Sequence, residues 1–137
     1  MPFTVARGPI KRGELARRSG CNLETIRYYE DIGLMPPPAR TEAGHRLYAE
    51  GDQRRLRFVL RARELGFSIE EIRSLLSMAL SADYTCCEIH ALTMEHLKTV
   101  AGKIADLKKL ERTLSHTASC CDRSESQDCP IMDALSS

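Results

Sequence analysis

The chain has 137 residues, with 20 Lys and Arg against 19 Asp and Glu and a formal charge of +1. That length suits one domain with an extension, or two small lobes, and is too short for a large enclosed substrate pocket. With no 18-residue apolar run and no charged-then-apolar leader, the expectation is a soluble, cytoplasmic protein with no membrane contact. The near-neutral total conceals an asymmetry: residues 1–65 carry 13 Lys and Arg against 8 Asp and Glu, whereas residues 66–137 carry 7 against 11. The front half is therefore the candidate polyanion binder.

In chain order, Lys11 to Arg18 predicts a short helix, broken at Ser19-Gly20-Cys21, after which Asn22 caps a second helix running to about Ile32. Helix, tight turn and helix, with Leu15, Ala16, Leu23 and Ile26 facing inward, is a helix-turn-helix pattern. Gly33 ends the second helix and Met35-Pro36-Pro37-Pro38 forces an extended exit. Arg40 to Tyr48 then reads as a hairpin with Gly at its tip, a wing that sets Arg40 and Arg46 against phosphates. Asp52 to Leu65 and Ser68 to Leu80 are two further helices. Ser68 and Glu71 form a capping box, and Leu56, Val59, Leu60 and Leu65 pack on Ile69, Ile72, Leu75 and Leu76. The arginines at 54, 55, 57, 61 and 63 cover more than one helix face, so most of them are expected in solvent.

From Thr85 onward Ile89, Leu92, Leu97, Val100, Ile104, Leu107, Leu110, Leu114 and Ala118 recur at threes and fours with no proline, the period of one amphipathic helix. About 30 residues at roughly 1.5 Å each make a rod of about 45 Å. Cysteine pairs stand at its two ends, Cys86-Cys87 and Cys120-Cys121, with Cys129 beyond. The rod keeps these clusters apart within one chain, and its apolar stripe calls for a partner, most simply a second copy. An antiparallel pair sets the Cys86 end of one chain beside the Cys121 end of the other. A parallel pair joins like clusters and leaves Cys129 without a role.

Adjacent cysteines next to acidic residues, in a helix-rich chain with an adequate core, read as reduced metal-binding thiols rather than disulfide staples. Thiolates select soft or borderline ions such as Hg, Cd, Pb and Zn, and the dipole at a helix N-terminus favours the anionic sulfur. Cys21 lies in the helix-turn-helix and reads as core. His90, His96 and His116 read as surface or interface residues, with His116 placed to support a second site.

The ordered set G-E-L-A at 13–16, T-I-R-Y-Y-E at 25–30, G-L at 33–34, R-T-E-A-G-H-R-L-Y at 40–48 and R-E-L-G-F-S-I-E-E-I at 63–72 resembles the MerR family of transcription regulators. The long helix with flanking cysteines resembles its metal-sensing branch, and the likeness spans residues 10–135. It implies a mainly α fold: a winged helix-turn-helix DNA-binding domain (1–80), a linker and long dimerisation helix in an antiparallel coiled coil (81–119), and a metal-binding loop with a terminal helix (120–137).

Position by position, the resemblance implies that Arg27 and Tyr28 meet the major groove, with Asn22 and Thr25 at the start of the same helix, and that Tyr29 meets a backbone phosphate. Arg40, His45, Arg46 and Tyr48 belong to the wing, and His45 departs from the aromatic ring usual there. Cys86, Cys121 and Cys129 take the ligand positions, with Cys87 and Cys120 as further candidates. The implied activity is a homodimer that binds a promoter palindrome in double-stranded DNA. When a thiophilic divalent ion binds, Hg ahead of Zn, Cd or Pb, it distorts that DNA so that RNA polymerase engages it. A thiol redox sensor is the alternative, weakened because adjacent cysteines form strained disulfides, and a thiol enzyme is disfavoured because no supporting Cys/His scaffold is present.

Overall fold

The computed structural model describes residues 3–80 and 83–121, the side chain of Cys121 excepted. The chain divides into two units, residues 1–80 and 81–137.

In the first unit, β1 (Ile10–Lys11) leads directly into α1 (Arg12–Ser19), and α2 (Leu23–Asp31) follows after a turn. Gly20 takes φ +71° there, a left-handed conformation that a residue with a side chain adopts only at a cost, and its N–H returns to the Ala16 carbonyl at 3.0 Å. Asn22 then caps α2, its Oδ1 accepting from the Thr25 N–H at 2.8 Å and the Thr25 hydroxyl at 2.9 Å.

Beyond the proline run, β2 (Ala39–Arg40) and β3 (Arg46–Tyr48) pair antiparallel around a turn in which Gly44 has φ +86°. The free edge of β3 is taken by β1, with Ile10 opposite Tyr48, which makes a three-stranded sheet of order β1-β3-β2 where the sequence suggested a two-stranded hairpin. The fully buried Gln53 fixes this arm. Its amide donates to the carbonyls of Gly8 at 3.0 Å and Tyr48 at 3.2 Å, and its oxygen accepts from the Ala6 N–H at 2.8 Å. A buried amide with all three bonds made adds specificity without an unpaired polar cost.

Helices α3 (Glu50–Glu64) and α4 (Ile69–Leu80) complete the unit. The predicted capping box is present: the Glu71 N–H donates to Ser68 Oγ and the Ser68 N–H to the Glu71 carboxylate, each at 3.1 Å. Leu15, Ile26, Leu34, Met35, Leu56, Val59 and Ile72 form the fully buried centre, with Phe67 and Leu76 nearly so. Two expected core residues are not in it. Leu23 is 48 % exposed and Leu65 54 % exposed, because each stands at a helix end, where the apolar stripe has already turned toward solvent. Arg54, Arg57, Arg61 and Arg63 are exposed, as expected for most of that series, and three arginines tie loops to helices. Arg55 donates to the Leu34 carbonyl at 2.6 Å, Arg73 to that of Ile32 at 2.6 Å and Arg63 to that of Phe67 at 3.0 Å.

The second unit is built on α5 (Cys86–Cys121), 36 residues without a break. Thr85 and Glu88 cap its start: the Glu88 N–H donates to Thr85 Oγ1 at 3.2 Å, and the Thr85 N–H to Glu88 Oε2 at 2.7 Å. At about 1.5 Å per residue the rod is roughly 54 Å long. Ile89, Met94, Leu97, Ile104, Leu107 and Leu114 are all exposed along it. Cys129 and the terminal helix expected over Ile131 to Leu135 lie outside the described residues. Among the described residues no helix is long and apolar enough to cross a membrane.

Candidate nucleic-acid interface and thiol sites

The outer face of α2 carries Leu23, Glu24, Arg27 and Tyr28, all exposed, with Tyr28 49 % so. Asn22 is exposed but committed to its cap, and the half-buried Thr25 spends its hydroxyl on Asn22. Tyr29 points the other way, 7 % exposed, its ring centroid 5.9 Å from that of Tyr28. Burial chiefly raises the Tyr29 hydroxyl above the usual range, so it remains a neutral donor. An α-helix presenting one arginine and one tyrosine outward, with its apolar side seated on a core, has the dimensions to enter a major groove.

Beside it, the wing holds its shape by local bonds. The Thr41 N–H donates to the His45 carbonyl at 2.8 Å, the Gly44 N–H to the Thr41 carbonyl at 2.9 Å, and the His45 N–H to Thr41 Oγ1 at 3.1 Å. Arg40 curls back to the Gly44 carbonyl at 3.3 Å, and His45 is exposed at the tip. Arg40, His45 and the half-buried Arg46 line a cleft of about 530 Å³ with Lys11, Arg12, Gly13 and Glu14 from the start of α1. A basic cleft that also takes in a helix N-terminus suits a phosphate group. Glu14 is the acidic member, its carboxyl held below the usual range by hydrogen bonds from Arg17 and Arg18.

Tyr48 is a correction. Read as a wing contact to DNA, it is 0 % exposed. Its hydroxyl donates to Glu30 Oε2 at 2.7 Å and accepts from Arg12 Nε at 3.0 Å, while the Arg12 guanidinium pairs with both Glu30 oxygens. Burial, then the Glu30 bond, pushes the Tyr48 hydroxyl up to about 12. This closed set of α1, α2 and β3 side chains fixes the wing against the helix-turn-helix. Sequence reasoning missed Arg12 because its partners are 18 and 36 residues away, where no periodicity points to them.

Cys86 and Cys87 occupy the first turn of α5, exposed, directly after the Thr85 cap. Free N–H groups at such a start favour an anion. Cys120 is exposed in the last turn, its sulfur 3.3 Å from His116 Nε2. Cys121 ends the helix, and its side chain is outside the described residues. The unbroken rod thus holds the two predicted clusters at opposite ends and does not bring Cys86 to Cys121 within a chain. Cys21 is half-buried, and burial raises its thiol, which fits the expected core role.

Residues 11–79 match the family model described as MerR HTH family regulatory protein, and residues 53–117 one described as MerR, DNA binding. The chain is similar to the HTH-type transcriptional regulator ZntR of Escherichia coli (strain K12), 42 % identical over 90 % of this chain and 89 % of that one. It is 40 % identical to the mercuric resistance operon regulatory protein of Bacillus cereus over 90 % and 95 % of the two chains. Among solved structures, the transcription regulator PbrR691 from Ralstonia metallidurans CH34 in complex with lead(II) is 37 % identical with a TM-score of 0.55. That likeness covers 92 % of this chain and 98 % of that one.

Proposed function

This chain belongs to the MerR family of helix-turn-helix regulatory proteins, and from that membership we propose that it binds a promoter palindrome as a homodimer and activates transcription when a thiophilic divalent ion binds at the dimer interface. The single observation that carries the reading is α5: a continuous 36-residue rod with thiols at both ends and exposed Ile89, Leu97, Ile104, Leu107 and Leu114 along it. Covering each such side chain is worth about 1.5–3 kcal/mol, more than enough together to drive pairing of two copies. Antiparallel pairing brings Cys86 of one protomer to Cys121 and Cys129 of its partner, with Cys87 and Cys120 adjacent.

The donor chemistry fits a thiophilic ion: three thiolates make a soft set that Mg and Ca do not contest. A relative named for mercuric resistance and a neighbour holding lead(II) support the same class. Hg is placed first, then Zn, Cd and Pb. Arg27 and Tyr28 read the groove, Arg40, His45 and Arg46 hold the backbone, and ion binding distorts the DNA so that RNA polymerase engages both promoter elements.

The test is a titration of reduced protein with each ion, read by ultraviolet thiolate-to-metal absorption, beside a promoter-reporter assay run metal by metal. Charge-transfer absorption that disappears in Cys86→Ser, with reporter induction by the same ion, is the expected outcome. Silence with every ion in both assays overturns the reading.

A further inference from the structure

A second basic cleft, of about 850 Å³, opens in the first unit between the Ser19-Gly20-Cys21 turn and α3. Arg57 and Arg61 line it, both exposed and one helical turn apart, with Arg63 and Glu64 beside them. Arg63 donates to the Phe67 carbonyl at 3.0 Å, and Arg61 holds Glu64 at 3.0 Å in a pair exposed enough for water to weaken. Arg57 has no hydrogen-bond or ion-pair partner among the described residues. Three guanidinium groups against one carboxylate leave the cleft cationic. Like charges at i and i+4 repel, a cost to the fold that an anion seated between Arg57 and Arg61 removes.

The cleft lined by Arg40, His45 and Arg46 takes in the start of α1, at Lys11 to Glu14, whereas this one takes in its end, at Ser19. Helix α1 has 8 residues, about 12 Å at roughly 1.5 Å each. The major groove is about 12 Å wide, with a phosphate backbone along each rim. With α2 in the groove, one cleft therefore stands over each rim. We propose that Arg57 and Arg61 form a phosphate clamp on the DNA backbone opposite the wing, so that each protomer grips both rims of the groove.

The proposal rests on the reading that α2 enters the major groove, and adds which arginines of α3 hold DNA. The contact is ionic and made to the backbone, so it supplies affinity and register without base preference. Glu64 tempers it, since its carboxylate must give up Arg61 to the phosphate.

The test measures binding of the full chain across a range of salt to two probes: a duplex it selects from a random-sequence pool, and an unselected duplex of equal length. Arg57→Gln and Arg61→Gln each remove two phosphate contacts per dimer, so log affinity against log salt should become shallower by about 1.8 for either. Both probes lose affinity by the same factor, whereas Arg27→Ala instead erodes the preference for the selected duplex. Arg57→Lys and Arg61→Lys keep the slope, because a point charge suffices for a phosphate. Glu64→Gln tightens binding to both probes. Arg54→Gln, an equal change of charge on α3 outside the cleft, leaves the slope as it was. In phosphate-ethylation interference, the Arg57 and Arg61 variants lose signal at one rim of the groove and Arg46→Ala at the other. Unchanged slopes for Arg57→Gln and Arg61→Gln, an equal shift with Arg54→Gln, or loss at the same phosphates as Arg46→Ala overturns the clamp. If Arg27→Ala still erodes preference in that case, the groove reading stands and the clamp alone falls. A chain that selects no duplex overturns both.

Discussion

The Tyr48 hydroxyl donates to Glu30 Oε2 at 2.7 Å, so one buried phenol in β3 is joined to the end of α2, and Arg12 of α1 closes the set from the other side. With Tyr48 fully buried, the wing and the helix-turn-helix move as one piece through these three side chains. Tyr48→Phe keeps the ring and deletes both bonds, leaving a part-buried carboxylate and guanidinium each short of a partner. The expected loss is about 1–3 kcal/mol in urea unfolding, at the unsatisfied-group end of the hydrogen-bond range. Operator affinity, measured where both proteins are folded, should change little. A DNA-contacting Tyr48 would give the opposite pair of results, full stability with weakened binding.

The same phenol makes the fold sensitive to alkali. Its folded value, pushed up to about 12, stands above the ordinary phenol value of about 10, so the folded state holds the proton longer than the unfolded chain. The associated stability is complete below about pH 10 and is lost as pH rises through about 12. Unfolding free energy followed across that window should fall more steeply for the natural chain than for Tyr48→Phe. Parallel curves for the two would remove Tyr48 as the source.

Arg27, exposed on the outer face of α2, is expected to read a base edge. Arg27→Ala should weaken operator binding by about 1–3 kcal/mol at fixed salt, the worth of a bidentate base contact, and leave the oligomeric state as it was. Unchanged gel-shift affinity would mean that this helix does not lie in the groove.

What the sequence disclosed follows from the range of the interaction. The Asn22 cap, the Ser68–Glu71 box and the apolar period of the long helix are set within one or two turns of chain and are legible in spacing alone, although that helix runs 36 residues and exceeds the expected length of about 30. The Thr85–Glu88 box obeys the same rule, with the two cysteines between its members. Pairing of β1 with β3 and the Arg12–Glu30–Tyr48 set join residues 18 to 38 positions apart, beyond any local period. Tyr48 was misplaced for that reason: with Arg46 two residues before it, it looks like part of a basic wing until Glu30 and Arg12 are seen waiting for its hydroxyl. Leu23 and Leu65 were misplaced because a helical stripe read from the middle of a helix gives no guidance in its first or last turn.

The Thr85 cap bears on the candidate ligands directly, since Cys86 and Cys87 are the next two residues. Thr85→Ala removes the acceptor for the Glu88 N–H and should destabilise the start of α5 by about 1 kcal/mol. Metal affinity should fall while stoichiometry is kept, because every thiol remains. Titration against a competing chelator measures this, and equal affinities for the two proteins would show that the cap has no part in holding the ligands.

Mixed dimers test whether the ion is shared between protomers. As homodimers, Cys86→Ser and Cys121→Ser should each lose the metal response. A heterodimer of the two has one interface missing both thiols and one with Cys86 and Cys121 intact, so it should recover about one ion per dimer. Ligands drawn from a single chain would leave both sites damaged, because each protomer then carries a defect in its own set. The roughly 54 Å rod of α5 makes the first outcome the expected one, as no bend in that helix returns its start to its end. Failure of verified heterodimers to regain metal would discard the antiparallel arrangement and leave a local site built from Cys120, Cys121 and Cys129.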